Sequence, residues 1–297
     1  MAVLKMHPCH KGMLEGTACI ERIGNGCSGL NKTMRSRHWW LSSPGIFAAA
    51  SISQGILGAE VGGTNAPVLK YEEPTFLAGT IYASGRSRTN VLFKFKREAT
   101  RTGNTLKVLR EFSYPDGKLA VREHVEYQGD QLAAYELEEL QIGASGSAKV
   151  RRQTDHPGKE MLVFSYGAAK GRPQTRTETL QKDTLIDDMV APFLMDHWEA
   201  LMKGQEARCR YIVVPRRETI GFKFTKQSEA TKQGQKVVII KMEPTSPIIA
   251  AMVDPLFFTI QKEGKRRILE YVGRTTPKVR EGSKWKDLDA VTVFEWK

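Results

Sequence analysis

Apolar and polar residues alternate along much of the chain, with the period of two that is typical of β-strands. Segments 105–114 and 119–127 both show this alternation, and the Pro115-Asp116-Gly117 sequence between them is typical of a hairpin turn. Turn residues then recur about every 8 to 12 residues, which predicts a mostly antiparallel sheet of about a dozen strands. Further strands are predicted at 91–95, 132–142, 148–152, 161–166, 208–214, 219–224, 236–242, 256–260, 267–272 and 291–296.

In two segments the apolar residues recur at the spacing of a helix instead. The first begins at Thr184, where Thr184 to Asp187 resembles a capping box, and it ends at Gly204. Pro192 inside it predicts either a kinked helix or two short helices, with Pro192 opening the second. The second helix is predicted to be capped by Ser246, to begin at Pro247 and to continue over the almost wholly apolar residues 248–253, and it is expected to be buried on most sides. These elements predict a mainly β fold, a curved antiparallel sheet or open half-barrel with one or two helices on its concave side.

The segment 34–59 reads as a secretory signal peptide. Basic residues follow Met34, an apolar stretch extends from Trp39 to Leu57, and Gly58 and Ala59 precede Glu60. The alternative is an N-terminal tail with a chance apolar patch. A signal here predicts a periplasmic or secreted bacterial protein without a stable membrane span, since no other stretch approaches the roughly 20 apolar residues that a spanning helix needs.

Residues 1–33 precede this signal and show neither helical nor strand periodicity. We expect translation to begin at Met34, which would make them a dispensable extension. They contain Cys9, Cys19 and Cys27, whose spacings lack the paired cysteines of a zinc site, and no metal or cofactor is predicted. The remaining organisation is a linker at 60–75 and a single β-rich domain at 76–297, in which Cys209 is expected to be a buried structural thiol.

Known catalytic motifs are absent from the sequence, which therefore predicts a non-enzymatic protein. The richest polar cluster lies on the first predicted helix, where Asp187, Asp196 and Glu199 would serve a hydrolase-type enzyme. The simpler interpretation is the solvated face of an amphipathic helix.

The formal charge of +12 includes basic doublets at 151–152, 216–217 and 266–267. Gathered on one rim, they would dock the protein to an envelope protein or an anionic polymer, whereas spread over the surface they would only favour solubility. Nucleic-acid binding needs exposed aromatic residues between basic ones, and only Phe93 and Phe95 beside Lys94 and Lys96 offer this, so no nucleic-acid partner is predicted.

An apolar set on and near the two helices is the candidate ligand site. It either forms part of the core or lines a cavity for a lipid or another apolar ligand, which helices inside a half-open barrel would favour. The predicted ligand-binding residues are Met189, Phe193, Trp198, Ile249, Met252 and Phe257.

Three segments carry a resemblance to known proteins: 197–201, 211–217 and 266–274. With the export signal and the antiparallel meander, they resemble uncharacterised exported bacterial proteins of domain-of-unknown-function families, over roughly residues 70 to 297. The layout of those families is similar to that of the periplasmic lipoprotein carriers, whose half-barrel holds acyl chains. The resemblance implies a fold and a compartment, and no ligand-contacting residue is transferred.

The leading functional hypothesis is therefore non-catalytic binding of an apolar or amphipathic envelope molecule. An envelope interaction module with a basic rim is the alternative, and a hydrolase-type enzyme is the third.

Overall fold

The computed structural model describes residues 75–85, 88–152, 159–251 and 253–296. The predicted extension at 1–33, the signal peptide at 34–59 and all but the last residue of the linker at 60–75 lie outside these ranges, as does Met252.

Within these ranges, fifteen strands form one sheet in which consecutive strands are neighbours, except for β8 and β9. All pairs are antiparallel except the short parallel pair β9–β10. The strands are β1 Phe76–Ala83, β2 Val91–Thr102, β3 Thr105–Ser113, β4 Leu119–Gln128, β5 Gln131–Glu139, β6 Ala144–Arg152, β7 Glu160–Ala168, β8 Gln174–Thr179, β9 Thr184–Leu185, β10 Ala207–Val213, β11 Glu218–Lys232, β12 Gln235–Pro244, β13 Leu256–Gln261, β14 Ile268–Glu281 and β15 Lys284–Glu295.

The sheet has two arms that meet at its centre, where β1 pairs with β15. One arm proceeds from β1 to β8, the other from β15 back to β9, so β8 and β9 are the two edges. The fold is therefore the predicted open, mainly antiparallel sheet.

Side-chain contacts show how strongly the sheet curves. The Glu178 carboxylate on β8 accepts a hydrogen bond of 3.0 Å from the backbone N–H of Thr219 on β11. Twelve strand spacings separate these two strands in the sheet order, roughly 57 Å if the sheet were flat. The two arms must therefore curl toward each other and enclose a concave side.

The predicted β3–β4 hairpin shows how the sequence produces this sheet. Gly117 adopts φ 89°, and the Asp116 carboxylate accepts a hydrogen bond of 2.9 Å from the backbone N–H of Lys118. On β4, Val121, Val125 and Tyr127 are buried. Local turn chemistry and alternation are sufficient to specify this pair of strands.

The helices lie between β9 and β10 and between β12 and β13. A 3-10 turn at Asp187–Met189 leads into α1, Val190–Asp196, and then into α2, Trp198–Met202; α3 is Pro247–Ala250. The Phe193 ring on α1 contacts the Phe224 ring of β11, with centroids 5.4 Å apart. The apolar residues of the turn, α1 and α2 belong to the same core cluster as the inward side chains of both arms. This segment therefore lies on the concave side, as expected.

Three expectations about the helices are wrong. Thr184 is in β9 rather than at a helix N-cap, and its hydroxyl donates to the Gln181 carbonyl at 2.7 Å. The helical segment divides at His197 rather than at Pro192, because Pro192 lies in the first turn of α1, where its missing N–H has no helical partner to lose. The second helix begins at Pro247 as predicted, but it is the short α3, which ends at Ala250 and has no buried residue, and Ile248 is 74% exposed.

Candidate functional site

Three charged residues occupy inward positions on neighbouring strands. Arg97 on β2, Arg110 on β3 and Glu123 on β4 are directly opposite one another in the register, and all three are buried. Each lies in an alternation whose other inward members are apolar, such as Phe95 before Arg97 and Val125 after Glu123. The concave side thus has a row of buried charges across an apolar surface, where burial requires each charge to have a partner.

The 3-10 turn before α1 supplies two carboxylates to this row. Asp188 accepts hydrogen bonds from Arg97 Nε at 2.6 Å and from the Tyr127 hydroxyl at 2.8 Å. The side chains of Arg97 and Asp188 are 3% and 1% exposed. A buried, aligned pair of this kind fixes the position of the turn, because separating the two charges would leave each uncompensated in a medium of low polarity.

Asp187 points the other way and is half-exposed. Its carboxylate accepts a hydrogen bond from the Tyr211 hydroxyl of β10 and lies 3.6 Å from Arg110 Nη1. Its side chain is 42% exposed, against 1% for Asp188. Adjacent carboxylates of the same turn therefore differ in role: Asp188 is enclosed, and Asp187 faces open space.

Arg110 has two acidic neighbours. Its Nη1 lies 2.7 Å from Glu123 Oε2, an ionic contact without hydrogen-bond alignment. Thr276 of β14 donates to the other Glu123 oxygen at 3.0 Å. Burial, and secondly the charge of Asp187, raise the pKa of Glu123 above its ordinary value despite the opposing effect of Arg110. Burial lowers the pKa of Arg110, but the carboxylates outweigh it and the net direction is upward, so the guanidinium stays charged.

Tyrosine hydroxyls complete the polar part of the site. Burial is the largest cause that raises the pKa of Tyr135, Tyr211 and Tyr271 well above the ordinary value. All three are therefore neutral at physiological pH. Tyr211 donates to Asp187, and Tyr271 donates to the backbone carbonyl of Arg274.

A first cavity of about 150 Å³ lies between α1 and the strands β1–β3 and β13–β15. Its wall is mostly apolar and includes Phe95, Phe112 and Phe294 from the sheet and Val190 and Pro192 from α1. The charged part of the wall consists of Arg97, Arg110, Asp187, Asp188 and Arg274.

A second cavity of about 200 Å³ lies on the other side of the same turn. Its apolar wall comes largely from β10, β11 and the residues around α3, including Ile212, Phe222, Ile249 and Val253. The two cavities adjoin each other, because they share the lining residues Asp187, Val190, Phe258, Tyr271, Arg274, Thr275 and Thr276.

The predicted ligand-binding residues divide between core and cavity wall. Met189, Phe193 and Trp198 are buried in the core, and neither cavity wall includes them. Ile249 lines the second cavity. Phe257 alternates with the buried residues on either side of it in β13 and lines neither cavity. Met252 lies outside the described residues, so this set of ligand contacts stays a prediction.

The carboxylates proposed for an enzyme are not assembled in one place. Asp196 and Glu199 are exposed, and Glu199 pairs with Arg266 at 3.6 Å. Asp187 instead lies at the shared wall of the cavities. The His197 ring nitrogen Nδ1 lies 2.9 Å from the Phe193 carbonyl, where it would donate in the tautomer that protonates this nitrogen.

At least one arginine of each basic doublet contacts another side chain of this same chain. Arg152 pairs with Glu160 at 3.0 Å, and Arg216 with Glu218. The Arg266 guanidinium lies 5.0 Å above the Trp198 ring, and that of Arg267 lies 5.1 Å above the Trp296 ring. Phe93 and Phe95, the aromatic residues between lysines, are both buried.

Sequence reasoning missed the residues that form the charge row. On β4, Glu123 falls in the same period-two set as Val121 and Val125. Its polar neighbours Arg122 and His124 conceal this in the sequence. Arg97 and Arg110 likewise follow the inward phase of their strands. A charge at an apolar phase of a clear alternation is the signal that would have found all three.

Within the described ranges, no helix is both long and apolar enough to cross a bilayer. The same ranges contain no group of three or more His, Cys, Asp or Glu side chains that is arranged to hold a metal ion.

Comparison with known proteins gives little further information. No family model matches the chain, and no curated protein sequence matches it. One solved structure that it is similar to is a DUF1329 family protein from Desulfovibrio piger, with 11% identity over 75% of this chain and 84% of that chain and a TM-score of 0.21. At that TM-score the likeness carries no argument about ligand or activity. The resemblance to lipoprotein-carrier half-barrels stays a prediction.

Proposed function

We propose that this chain is an exported, non-catalytic binding protein for an apolar or amphipathic envelope molecule, whose apolar part enters the concave side of the sheet. The observation that carries the proposal is the pair of adjoining, mostly apolar cavities on either side of the turn that leads into α1. Export is part of the proposal and rests on the signal-like pattern at 34–59.

The size of the cavities limits what they hold. A cavity of about 150 Å³ is large enough for an apolar group such as benzene. Pockets for drug-sized ligands are larger, roughly 300 to 1,000 Å³. Each cavity alone therefore suits a short apolar group, and a longer chain would have to occupy both.

For one ligand to occupy both cavities, the wall between them would have to move. It is formed partly by the 3-10 turn and α1, and side-chain contacts such as Arg97–Asp188 and Tyr211–Asp187 hold it against the sheet. Joining the two cavities would require part of this segment to move at the expense of such side-chain contacts, while the ladder of hydrogen bonds between strands would stay intact.

The alternative of docking through a basic rim has less support. Arg152, Arg216 and Arg266 already have acidic partners on the same chain. A partner would have to compete with these contacts.

Gentle purification from a bacterial envelope, followed by native mass spectrometry and organic extraction, tests the proposal. We expect a bound apolar molecule in defined stoichiometry. Ala191→Trp, which fills the first cavity, is expected to reduce its occupancy. Ala200→Trp is the matched control, because Ala200 is a partly buried helical alanine that lines neither cavity.

An empty wild-type protein that also fails to bind the uncharged apolar dye N-phenyl-1-naphthylamine would overturn the proposal. Equal occupancy in folded Ala191→Trp and Ala200→Trp proteins would rule out the first cavity as the site.

A further inference from the structure

Each cationic side chain that lines one of the two cavities is close to at least one carboxylate. Among the described residues, five cationic side chains line one cavity or the other: Arg97, Arg110, Arg216, Arg274 and Lys278. Each lies within 4.0 Å of at least one carboxylate. The carboxylates that pair with them are Glu123, Glu139, Asp187, Asp188, Glu218, Asp287 and Asp289, of which Glu139, Asp187, Asp188 and Asp287 line a cavity themselves.

Because each of these five cations is already paired with a carboxylate, an anionic group in the cavities is disfavoured. An incoming anion would have to displace a carboxylate already in contact with its cation, and the displaced carboxylate would then be left without its partner in a partly buried site. The raised pKa of Glu123 does not change this conclusion, because Glu123 lines neither cavity and Arg110 also lies 3.6 Å from Asp187.

Asp187 is the carboxylate best placed to receive a ligand. It lies on the wall shared by the two cavities, and its side chain is 42% exposed. Tyr211 donates one hydrogen bond to it, and Arg110 is only at 3.6 Å. Because an ionised carboxylate accepts about four hydrogen bonds, Asp187 retains acceptor capacity toward the cavity space.

The other carboxylates of the set are more fully engaged. Asp188 is enclosed by Arg97 and Tyr127, and Asp287 contacts both Arg274 and Lys278 at 2.9 Å. Glu139 accepts from the Tyr166 hydroxyl at 2.5 Å and has a side chain that is 3% exposed.

We infer that Asp187 binds the polar end of the ligand, and that this end is a cationic hydrogen-bond donor, an ammonium group attached to an apolar chain. The apolar chain occupies the cavities on either side of Asp187, and the ammonium group replaces water at the carboxylate. This assignment rests on the proposed binding function and adds the class of ligand.

A competing position for a polar end lies at the side of the first cavity, where the Arg267 guanidinium stacks on Trp296. An anionic head group would favour that position. The two alternatives predict opposite orders of affinity for ligands that differ only in the charge of the head group.

The Asp187 and Arg267 positions can be distinguished by the affinities of octylamine and octanoate, measured as displacement of N-phenyl-1-naphthylamine at pH 7. We expect octylamine to bind roughly tenfold or more tightly than octanoate, as is typical of a hydrogen bond between charged groups. In Asp187→Asn this preference should fall to about twofold or less, while the dye still binds. Asp196→Asn should keep the preference, because Asp196 is an exposed carboxylate of α1 that lines neither cavity.

The possible failures are distinguishable. If wild-type protein is purified empty and also fails to bind the dye, the proposed function is wrong. If the dye binds but octanoate competes as well as octylamine, the binding function stands and the assignment of Asp187 is overturned. The wild-type comparison requires no variant, and thermal melting shows whether Asp187→Asn is folded.

Discussion

Arg97 and Arg110 lie directly opposite each other on β2 and β3, with both guanidinium groups buried on the concave side. Like charges at opposed positions of an antiparallel pair repel each other. Here each has its own acidic partner, Asp188 for Arg97 and Glu123 for Arg110. Since Asp188 belongs to the turn before α1, this pair of arginines requires the helical segment to be in place.

The first prediction concerns the contact that holds this turn. Asp188→Ala removes the partner of a buried arginine, so we expect the free energy of unfolding to fall by about 3 to 5 kcal/mol. Urea denaturation followed by circular dichroism measures it. Asp196→Ala on the exposed face of α1 is the control, with an expected change within about 0.5 kcal/mol.

A double variant, Arg97→Met with Asp188→Leu, extends the same test. Replacing a buried ion pair by apolar side chains of similar volume is often nearly neutral, so much of the lost stability should return. If Asp188→Ala lowers the free energy of unfolding by less than about 1 kcal/mol, the Arg97–Asp188 pair does not stabilise the fold as a buried pair should.

The second prediction concerns pH. The folded-state pKa of Glu123 is raised, first by burial, so the folded protein retains a proton that the unfolded chain releases. Its contribution to stability is therefore present at low pH and is lost as the pH rises from the unfolded pKa to the raised folded pKa. Glu123→Gln mimics the protonated form, so this variant should gain stability relative to wild type between pH 5 and pH 8.

Urea denaturation of wild type and Glu123→Gln at pH 5 and at pH 8 measures this gain in stability. The gain corresponds to about 1.4 kcal/mol for each unit by which the folded-state pKa of Glu123 is raised over this pH range. Glu138→Gln on the following strand is the control, since Glu138 has a side chain that is 40% exposed. A constant difference between Glu123→Gln and wild type would show that Glu123 is ionised throughout.

The third prediction concerns Cys209, which is buried in β10. Burial, and secondly the charge of Asp183, raise the pKa of its thiol to about 12. Because the thiolate is the reactive form, iodoacetamide at pH 8 should leave Cys209 unmodified in the folded protein and modify it in urea. Peptide mass spectrometry identifies the labelled site. Rapid labelling of the native protein would show that this part of β10 opens readily.

The fourth prediction concerns Gly146 on β6. A Cβ at this position would lie 2.4 Å from the Ser165 carbonyl oxygen and 2.7 Å from Val214 Cγ1. We expect Gly146→Ala to lower the free energy of unfolding by about 1 to 3 kcal/mol, as overpacking does. Ser145→Ala at the neighbouring exposed position is the control, and equal melting temperatures of the two variants would contradict the close approach.

The strands were predictable where local chemistry determines them. The β3–β4 hairpin follows from its alternation and from Pro115-Asp116-Gly117. By contrast, β8 is exposed along most of its length and has no apolar phase, so nothing in the sequence of Gln174–Thr179 marks it as a strand. Its position is determined by pairing with β7 and by contacts with Glu218 and Thr219 that are distant in sequence.

The site was predictable only in part. The sequence indicated apolar residues near the two helices, and Ile249 does line a cavity. It did not indicate which of the other apolar side chains belong to the core, because helical spacing does not distinguish a residue packed against a neighbour from one facing a void. The positions of Arg97, Arg110 and Glu123 were readable from strand phase, but their mutual contact depends on the register.

The pairing of β1 with β15 has a consequence for the time course of folding. It joins Ala78 to Glu295, whereas every other antiparallel pair joins strands that are adjacent in the chain. Each arm can form from local hairpins, but the two arms cannot unite until β15 has been synthesised and is free to pair. Until then β1 has an unpaired edge, the kind of surface at which chains associate wrongly. We therefore expect the joining of the arms to be the slow step of folding.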